Sequence, residues 1–313
     1  LIQGLLLGGT NNQFEIETGD GIVRLCTIKG KILKEVEGYY NPLAPGDRVE
    51  IVVDEQDPLR GQIISLVPRK NHFVRFNQKG NAPQLLAANL DLLVVVTTPD
   101  EPPFRPRFVD RALIQADAEH ITPLVLVNKL DLGIDPDTEE RLADWERLGY
   151  EIRRVSAVSG AGMDELAARL AGKVSAFVGQ SGVGKSSLLN MLDKRLSLRT
   201  GGLSEKFGRG THTTTKGMLF HLPPDTDGKC ASIIDTPGVR RFVLHDIPAK
   251  DLILYFREME NLVGTCSWGH SCSHQHEPGC KILEAVYAGV IHEQRYESWQ
   301  RIREEIETGS FAD

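Results

Sequence analysis

The chain of 313 residues carries 36 Lys and Arg against 43 Asp and Glu, for a formal net charge of -7, with 41% hydrophobic and 25% charged residues. That balance excludes a disordered chain, and no apolar run approaches the ~20 residues of a membrane-spanning helix. Five cysteines, three of them between Cys266 and Cys280, argue against a disulfide scaffold and for a reduced compartment with one metal site.

The length suits two or three domains. No basic segment followed by an apolar one opens the chain, so export is not expected and a cytoplasmic monomer is. It starts at Leu1 rather than Met, and a short preceding piece is expected. Residues 1–68 read as short strands between glycine and proline turns: Gly21–Ile28, Lys31–Val36 and Asp47–Val53. Such a unit predicts a small β-barrel, either an oligonucleotide-binding (OB) fold or an SH3-like one. Pro68–Gly80 is polar and basic and reads as a solvated connector, or as an arm that uses Phe73 and Phe76 among Arg69, Lys70, Arg75 and Lys79 to touch RNA.

From residue 90 the pattern becomes alternating strands and helices. Strands are expected at Leu90–Thr98, Thr122–Asp131, Tyr150–Ala157, Lys173–Gln180 and Cys230–Gly238, with helices at Phe108–His120, Thr138–Leu148 and Met163–Leu170. Continuous apolar strands fit a parallel sheet covered on both faces, so residues 82–248 predict a doubly wound α/β domain. Residues 249–313 hold the Cys/His cluster and then a helical stretch, Glu293–Ile306. Cys26 and Cys230 fall in strand patterns and are expected to be buried.

GQSGVGKS, from Gly179 through Gln180, Ser181, Gly182, Val183, Gly184 and Lys185 to Ser186, follows one of these strands and precedes a helix that continues with Ser187. This is the context of a phosphate-binding P-loop. Its glycines turn backbone N–H groups inward, Lys185 reaches the β- and γ-phosphates as a catalytic cation, and the Ser186 hydroxyl suits Mg²⁺. DTPG ends the next strand, with Asp235 placed for the Mg²⁺ shell and the Gly238 N–H for the γ-phosphate. NKLD ends the strand of residues 122–131. Asp131 can accept two hydrogen bonds from guanine that adenine does not offer, Asn128 can orient the loop and approach the base edge, and Lys129 can cover the base. Ser156 and Ala157, in SAVSG, complete the base pocket. GTP or GDP with Mg²⁺ is the implied ligand.

The guanine-reading loops precede the P-loop, so the α/β domain reads as circularly permuted, joined across Ala161–Lys173. This order behind a small barrel and ahead of a Cys/His module resembles the circularly permuted GTPases of ribosome biogenesis, the RsgA/YjeQ type. The resemblance implies an OB-like barrel (1–68), a connector (69–81), a permuted P-loop GTPase domain (82–248) and a mainly helical zinc-binding domain (249–313). It implies hydrolysis of GTP stimulated by the small ribosomal subunit during late maturation, with the subunit and its rRNA as partners and no membrane. A GTP-dependent RNA-binding regulator outside ribosome assembly is the alternative, and a metabolic P-loop kinase is disfavoured by the guanine-reading NKLD.

GRGTHTTT (Gly208–Thr215) stands where a first switch is expected, with Thr213, Thr214 or Thr215 on the γ-phosphate and Mg²⁺. Val239 follows DTPG in place of a water-orienting glutamine. His212 is therefore the candidate to orient or deprotonate water, a catalytic role the resemblance also implies, against an RNA-contacting or structural one. Cys266, Cys272, His274 and Cys280 suit one structural Zn²⁺. The first interval is one residue longer than the family's, so His270 or His276 is an alternative to Cys266. Residues 173–250 hold twelve basic and six acidic side chains, a local excess suited to rRNA despite the acidic total. Arg240, Arg241 and Phe242 are expected to carry the γ-phosphate state to the C-terminal module.

Overall fold

The computed structural model describes residues 1–10, 12–30, 38–77, 80–198, 217–238 and 242–310. The expected strand Lys31–Val36 lies outside them. Strands β1 (Ile2–Thr10), β2 (Gln13–Thr18), β3 (Val23–Ile28), β4 (Arg48–Val53) and β5 (Arg60–Leu66) close into a barrel in the order β1-β2-β3-β5-β4. Alternate residues point inward on each strand, and Leu6, Phe14, Ile16, Cys26, Val49, Ile51 and Ile63 fill the interior. Antiparallel return of β1 to β4 and parallel pairing of β3 with β5 give the five-stranded closure of an OB fold.

The stretch that reads as a solvated connector contains a strand. β6 (His72–Asn77) pairs antiparallel with β7 (Ala82–Ala88), and a register shift between Phe73 and Val74 hides its alternation. Phe73 is fully buried and stacks on Phe242 with ring centroids 5.3 Å apart, so it packs a core and cannot stack on RNA. The Phe76 N–H donates to the Val243 carbonyl at 3.1 Å, tying the hairpin to the chain beyond DTPG.

The α/β domain follows with β8 (Leu92–Thr97), α1 (Pro106–Ala118), β9 (Thr122–Val127), α2 (Pro136–Arg147), β10 (Glu151–Arg154), α3 (Met163–Leu170), β11 (Val174–Gly179), α4 (Lys185–Leu192), β12 (Met218–His221) and β13 (Ser232–Asp235). The sheet order is β10-β9-β8-β11-β13-β12. Leu93, Val95, Val125, Val127 and Val178 pack on α1 and α2 through Val109, Leu113 and Trp145. Their neighbours Leu92, Val94, Val96, Leu124 and Phe177 face Leu166, Leu170, Leu188 and Leu189 of α3 and α4. Period-two alternation thus feeds two cores, which is why both residues of each pair are apolar. One correction concerns direction: β12 runs antiparallel to β13, so the sheet is mixed. A tight turn around Asp225 and Gly228 joins these strands, and strands joined this way pair antiparallel. A second correction concerns Cys230, which is exposed because β13 begins only at Ser232; Cys26 is buried as expected.

Beyond residue 250 come α5 (Arg257–Glu260), α6 (Lys281–Tyr287) and α7 (Glu293–Thr308). Phe256, Met259, Ile282, Trp299 and Ile302 pack with Cys266, Cys272 and Cys280, and Ile114 of α1 joins that core. A buried ionic hub fastens the module to the α/β domain. Asp110 of α1 accepts from Arg141 of α2 at 2.9 Å, from Arg295 of α7 at 2.7 Å, from Trp145 Nε1 at 2.9 Å and from Ser298 Oγ at 2.6 Å. Arg295 also donates to Glu258 at 2.6 Å.

The barrel docks at the β12 edge of the sheet, where Leu5 and Leu7 join the core that α1 and α2 cover. A Cβ on Gly8 of β1 would stand 2.7 Å from the Met218 sulfur of β12, and one on Gly46 would stand 2.2 Å from the Ala88 carbonyl oxygen. Glycine is required at Gly46, where the contact is to backbone and φ is +92°, while at Gly8 the flexible Met218 side chain would have to move aside. His221 of β12 lies 2.8 Å from Glu17 of the barrel. Among the described residues, no helix is long and apolar enough to cross a membrane.

Candidate functional site

Because β8, β9, β10, β11 and β13 are parallel, their C-terminal ends share one edge of the sheet, where ligands of α/β folds gather. Four of the sequence motifs meet there: the P-loop after β11, DTPG after β13, NKLD after β9 and SAVSG after β10. β12 begins on the same edge, with Met218 opposite Asp235. His212, Thr213, Thr214 and Thr215, together with Arg240 and Arg241, lie outside the described residues.

The P-loop turns on two left-handed glycines, Gly182 with φ +86° and Gly184 with φ +90°. Gly179 closes β11, Gln180 and Ser181 follow, and Ser186 and Ser187 sit half-buried in the first turn of α4, where orphan N–H groups and the helix dipole favour anions. Lys185 Nζ donates to the carbonyls of Gly179 at 2.8 Å and Gln180 at 3.3 Å. Burial lowers its pKa to about 8, against the pull of the Asp235 carboxylate. Burial raises Asp235 to about 6, and Lys185 works against that shift. The pair forms a desolvated, electrically opposed centre. DTPG is close by: a Cβ on Gly238 would stand 3.5 Å from Ser181 Cα and 3.7 Å from Lys185 Nζ. Thr236 Oγ1 donates to the Phe177 carbonyl at 2.7 Å, which fixes that loop to β11.

Asn128 is only 1% exposed. Its Nδ2 donates to the Val183 carbonyl at 2.9 Å, and its Oδ1 accepts from the Ala157 N–H at 3.2 Å. It therefore braces three loops, the orienting half of its expected role, and its burial leaves little surface for the base edge. Asp131 is exposed and accepts from the Ser156 hydroxyl, which also takes the Val158 and Ser159 N–H groups at 3.3 and 3.1 Å. Lys129, left-handed at φ 64°, donates from Nζ to the Glu101 carbonyl. Sequence reasoning missed this last segment. Pro102 would lie 3.6 Å from a Cβ on Gly182, and its carbonyl accepts from Thr98 Oγ1 at 2.9 Å. The visible signal was TTPDEPP at the end of an apolar strand, hence at the same edge.

In the C-terminal module, donor atoms of Cys266, Cys272, His274 and Cys280 all lie within 4.8 Å of one another, and all four residues are buried. Cys266 Sγ is 3.8 Å from Cys280 Sγ and 3.5 Å from His274 Nδ1, which is 3.4 Å from Cys280 Sγ. A tetrahedral Zn²⁺ with Zn–S ~2.3 Å and Zn–N ~2.0 Å requires edges of about 3.8 and 3.5 Å. The residues fit that ion. The Lys281 N–H donates to Cys266 Sγ at 3.3 Å, and Tyr296 Oη donates to the His274 carbonyl at 2.6 Å. Neither His270 nor His276 enters the cluster.

The chain matches the RsgA GTPase family over residues 66–245. It is 38% identical over 313 residues to the small ribosomal subunit biogenesis GTPase RsgA of Chlorobaculum parvum, covering 98% of each chain. Against the protein of that name from Chlorobaculum tepidum, the identity is 40% over 306 residues, covering 95% of this chain and 96% of the relative. Among solved structures, YjeQ from Thermotoga maritima aligns with a TM-score of 0.71 and 30% identity over 97% of this chain and 98% of that one. YloQ, a circularly permuted GTPase, aligns at 0.67 and 23% identity over 100% and 97%, a likeness of fold.

Proposed function

The chain belongs to the RsgA GTPase family, and from that premise we propose that its site hydrolyses GTP on the small ribosomal subunit, with stimulation by the subunit, during late maturation. It is a GTP hydrolase acting in ribosome biogenesis. The observation that carries the finer reading is the convergence of P-loop, DTPG and guanine loops on one edge, with Asn128 tying the P-loop to the guanine loops and Thr236 tying DTPG to β11.

In this reading Lys185 and the α4 N-terminus hold the phosphates, aided by backbone N–H groups of Gly179 to Ser187. Ser186 and Asp235 would hold Mg²⁺, which would supply charge neutralisation to the phosphates. Gly238 senses the γ-phosphate. Asp131, oriented by Ser156, reads guanine, while Lys129 and Ala157 line the base. His212 orients the attacking water, and one of Thr213, Thr214 or Thr215 closes over the γ-phosphate. Cys266, Cys272, His274 and Cys280 hold one structural Zn²⁺. The barrel spans 1–68, the permuted domain 82–248 and the zinc module 249–313. The expected connector of residues 69–81 contributes β6 to the hairpin, in keeping with the match that starts at residue 66.

GTP fixes the relative pose of barrel and zinc module, and hydrolysis releases the subunit. Phe242, buried between Phe73 and Phe108, is the described residue best placed to transmit the state. The decisive assay is GTP turnover by the purified chain with and without small subunits. Stimulation of about tenfold or more, a barrier drop of ~1.4 kcal/mol, is expected. No stimulation together with tight binding to another RNA would favour a regulator outside ribosome assembly. Equal affinity of the GTP and GDP forms for the subunit would end the release model.

A further inference from the structure

One end of the barrel is built by the turn of residues 19–22, between β2 and β3, and the turn of residues 54–59, between β4 and β5. They are stitched together: Arg24 Nε donates to the Pro58 carbonyl at 3.0 Å, and the Leu25 N–H donates to the Leu59 carbonyl at 2.8 Å. In OB folds this loop and the face of the second and third strands are the usual oligonucleotide platform, built from cations and stacking rings. Here the chemistry is the reverse. The two turns carry Asp20, Asp54, Glu55 and Asp57, and the nearby guanidiniums are committed, Arg24 to Asp20 and Arg60 to Asp57. Glu15 and Glu17 of β2 stand opposite Leu25 and Val23 in register. Among these acids the barrel exposes aliphatic side chains: Leu59 is 59% exposed, Val52 45%, Val23 44% and Leu25 37%. No aromatic ring is exposed on these turns or on β3.

We propose that this acidic, aliphatic end of the barrel docks a protein, namely a Lys/Arg-rich extended segment with interspersed apolar residues, and not RNA. Phosphates would meet carboxylates in excess over the two guanidiniums, those of Arg24 and Arg60 being paired with Asp20 and Asp57, and would find no rings, whereas a basic segment neutralises Asp54 and Glu55 while covering Val23, Leu25 and Leu59. The proposal rests on the small-subunit reading, because such a particle presents basic protein segments to a bound factor.

A photo-crosslinking amino acid placed at position 59, and separately at position 23, in the full chain bound to purified small subunits tests it. The expected adduct is with a basic protein segment. Adducts chiefly with rRNA, or none although the chain cosediments, overturn the proposal. Failure to cosediment instead overturns the subunit reading and this proposal with it. In parallel, the double variant Val23→Ser, Leu59→Ser should lose about tenfold in affinity for intact subunits and keep its affinity for protein-free small-subunit rRNA. Equal loss on both would also overturn the proposal.

Discussion

At the scale of single residues, the site depends on a few positions with no tolerance. Gly184 combines φ +90° with a Cβ direction that points 2.4 Å from Asn128 Nδ2. Gly184→Ala therefore strains the loop and displaces the brace between P-loop and guanine loops. We expect a loss of GTP affinity of at least about tenfold, from strain and one broken buried hydrogen bond of together ~2 kcal/mol, with little change in the far-ultraviolet dichroism; titration with a fluorescent GTP analogue checks it. Asp131→Asn should exchange guanine preference for xanthine, since the acceptor pair becomes donor and acceptor. Competition between GTP and XTP reads this out, and retained GTP selectivity would refute the base-pocket assignment.

Among elements, the legible ones were those whose burial shows as a long run. β8, β9 and β11 are apolar on both faces, so their presence and starts could be read closely, though β9 ends at Val127 and not at Asp131, and the P-loop, DTPG and NKLD fell at strand ends where the sheet later placed them together. β12 has only four residues and a polar terminus, too short for periodicity. β6 carries a bulge that interrupts its alternation, so its phenylalanines looked like an RNA-binding arm. The hub around Asp110 was illegible because its partners lie 31 and 185 positions along the chain.

Two element-level predictions follow from burial. Glu119, the residue after α1, lies 3.7 Å from His72 and is raised from 4.5 to about 7 by burial and then by Asp246. A raised carboxyl favours the protonated fold, so its stabilisation is complete below pH 4.5 and lost as pH climbs through about 7. Glu119→Gln should remove that decline and be the more stable form at pH 8 by on the order of 1–2 kcal/mol, measured by urea unfolding across pH. In the metal module, a cobalt-loaded chain should show thiolate-to-metal absorption that Cys266→Ser weakens markedly and His270→Ala or His276→Ala leave unchanged. A reverse pattern would return the first ligand to one of those histidines.

For the whole molecule, the docking of the terminal units is unequal. The Cys/His module is bolted to α1 and α2 by fully buried ions, while the barrel rests on β12 and the β6–β7 hairpin through close glycine approaches, the Asn41–Leu85 and Asn89–Gly46 hydrogen bonds, the apolar side chains of Leu5 and Leu7, and a histidine–carboxylate pair. Burial alone would push the Asp110 carboxyl up, yet Arg141, Arg295 and Ser298 together hold it below its usual range. Asp110→Ala removes one of the carboxylate partners from each of two buried guanidiniums, leaving Arg141 with Asp144 and Arg295 with Glu258, and should cost about 3–5 kcal/mol. By contrast Asp57→Ala, which breaks an exposed pair with Arg60, should change stability by less than ~1 kcal/mol. Chemical denaturation of both variants beside the parent chain checks the contrast.

The strand order also has a bearing on how the protein is made. β8 is complete at Thr97, but its neighbour β11 starts only at Val174 and lies between β8 and β13. During synthesis the guanine half must therefore wait with an open, strongly apolar strand edge, in the middle of what becomes the sheet. Nucleotide cannot help it fold, because the phosphate half has not yet emerged. Such an edge invites pairing with other nascent chains, so permutation places the burden of early solubility on chaperones and on the acidic helix α2 that is translated in the interval.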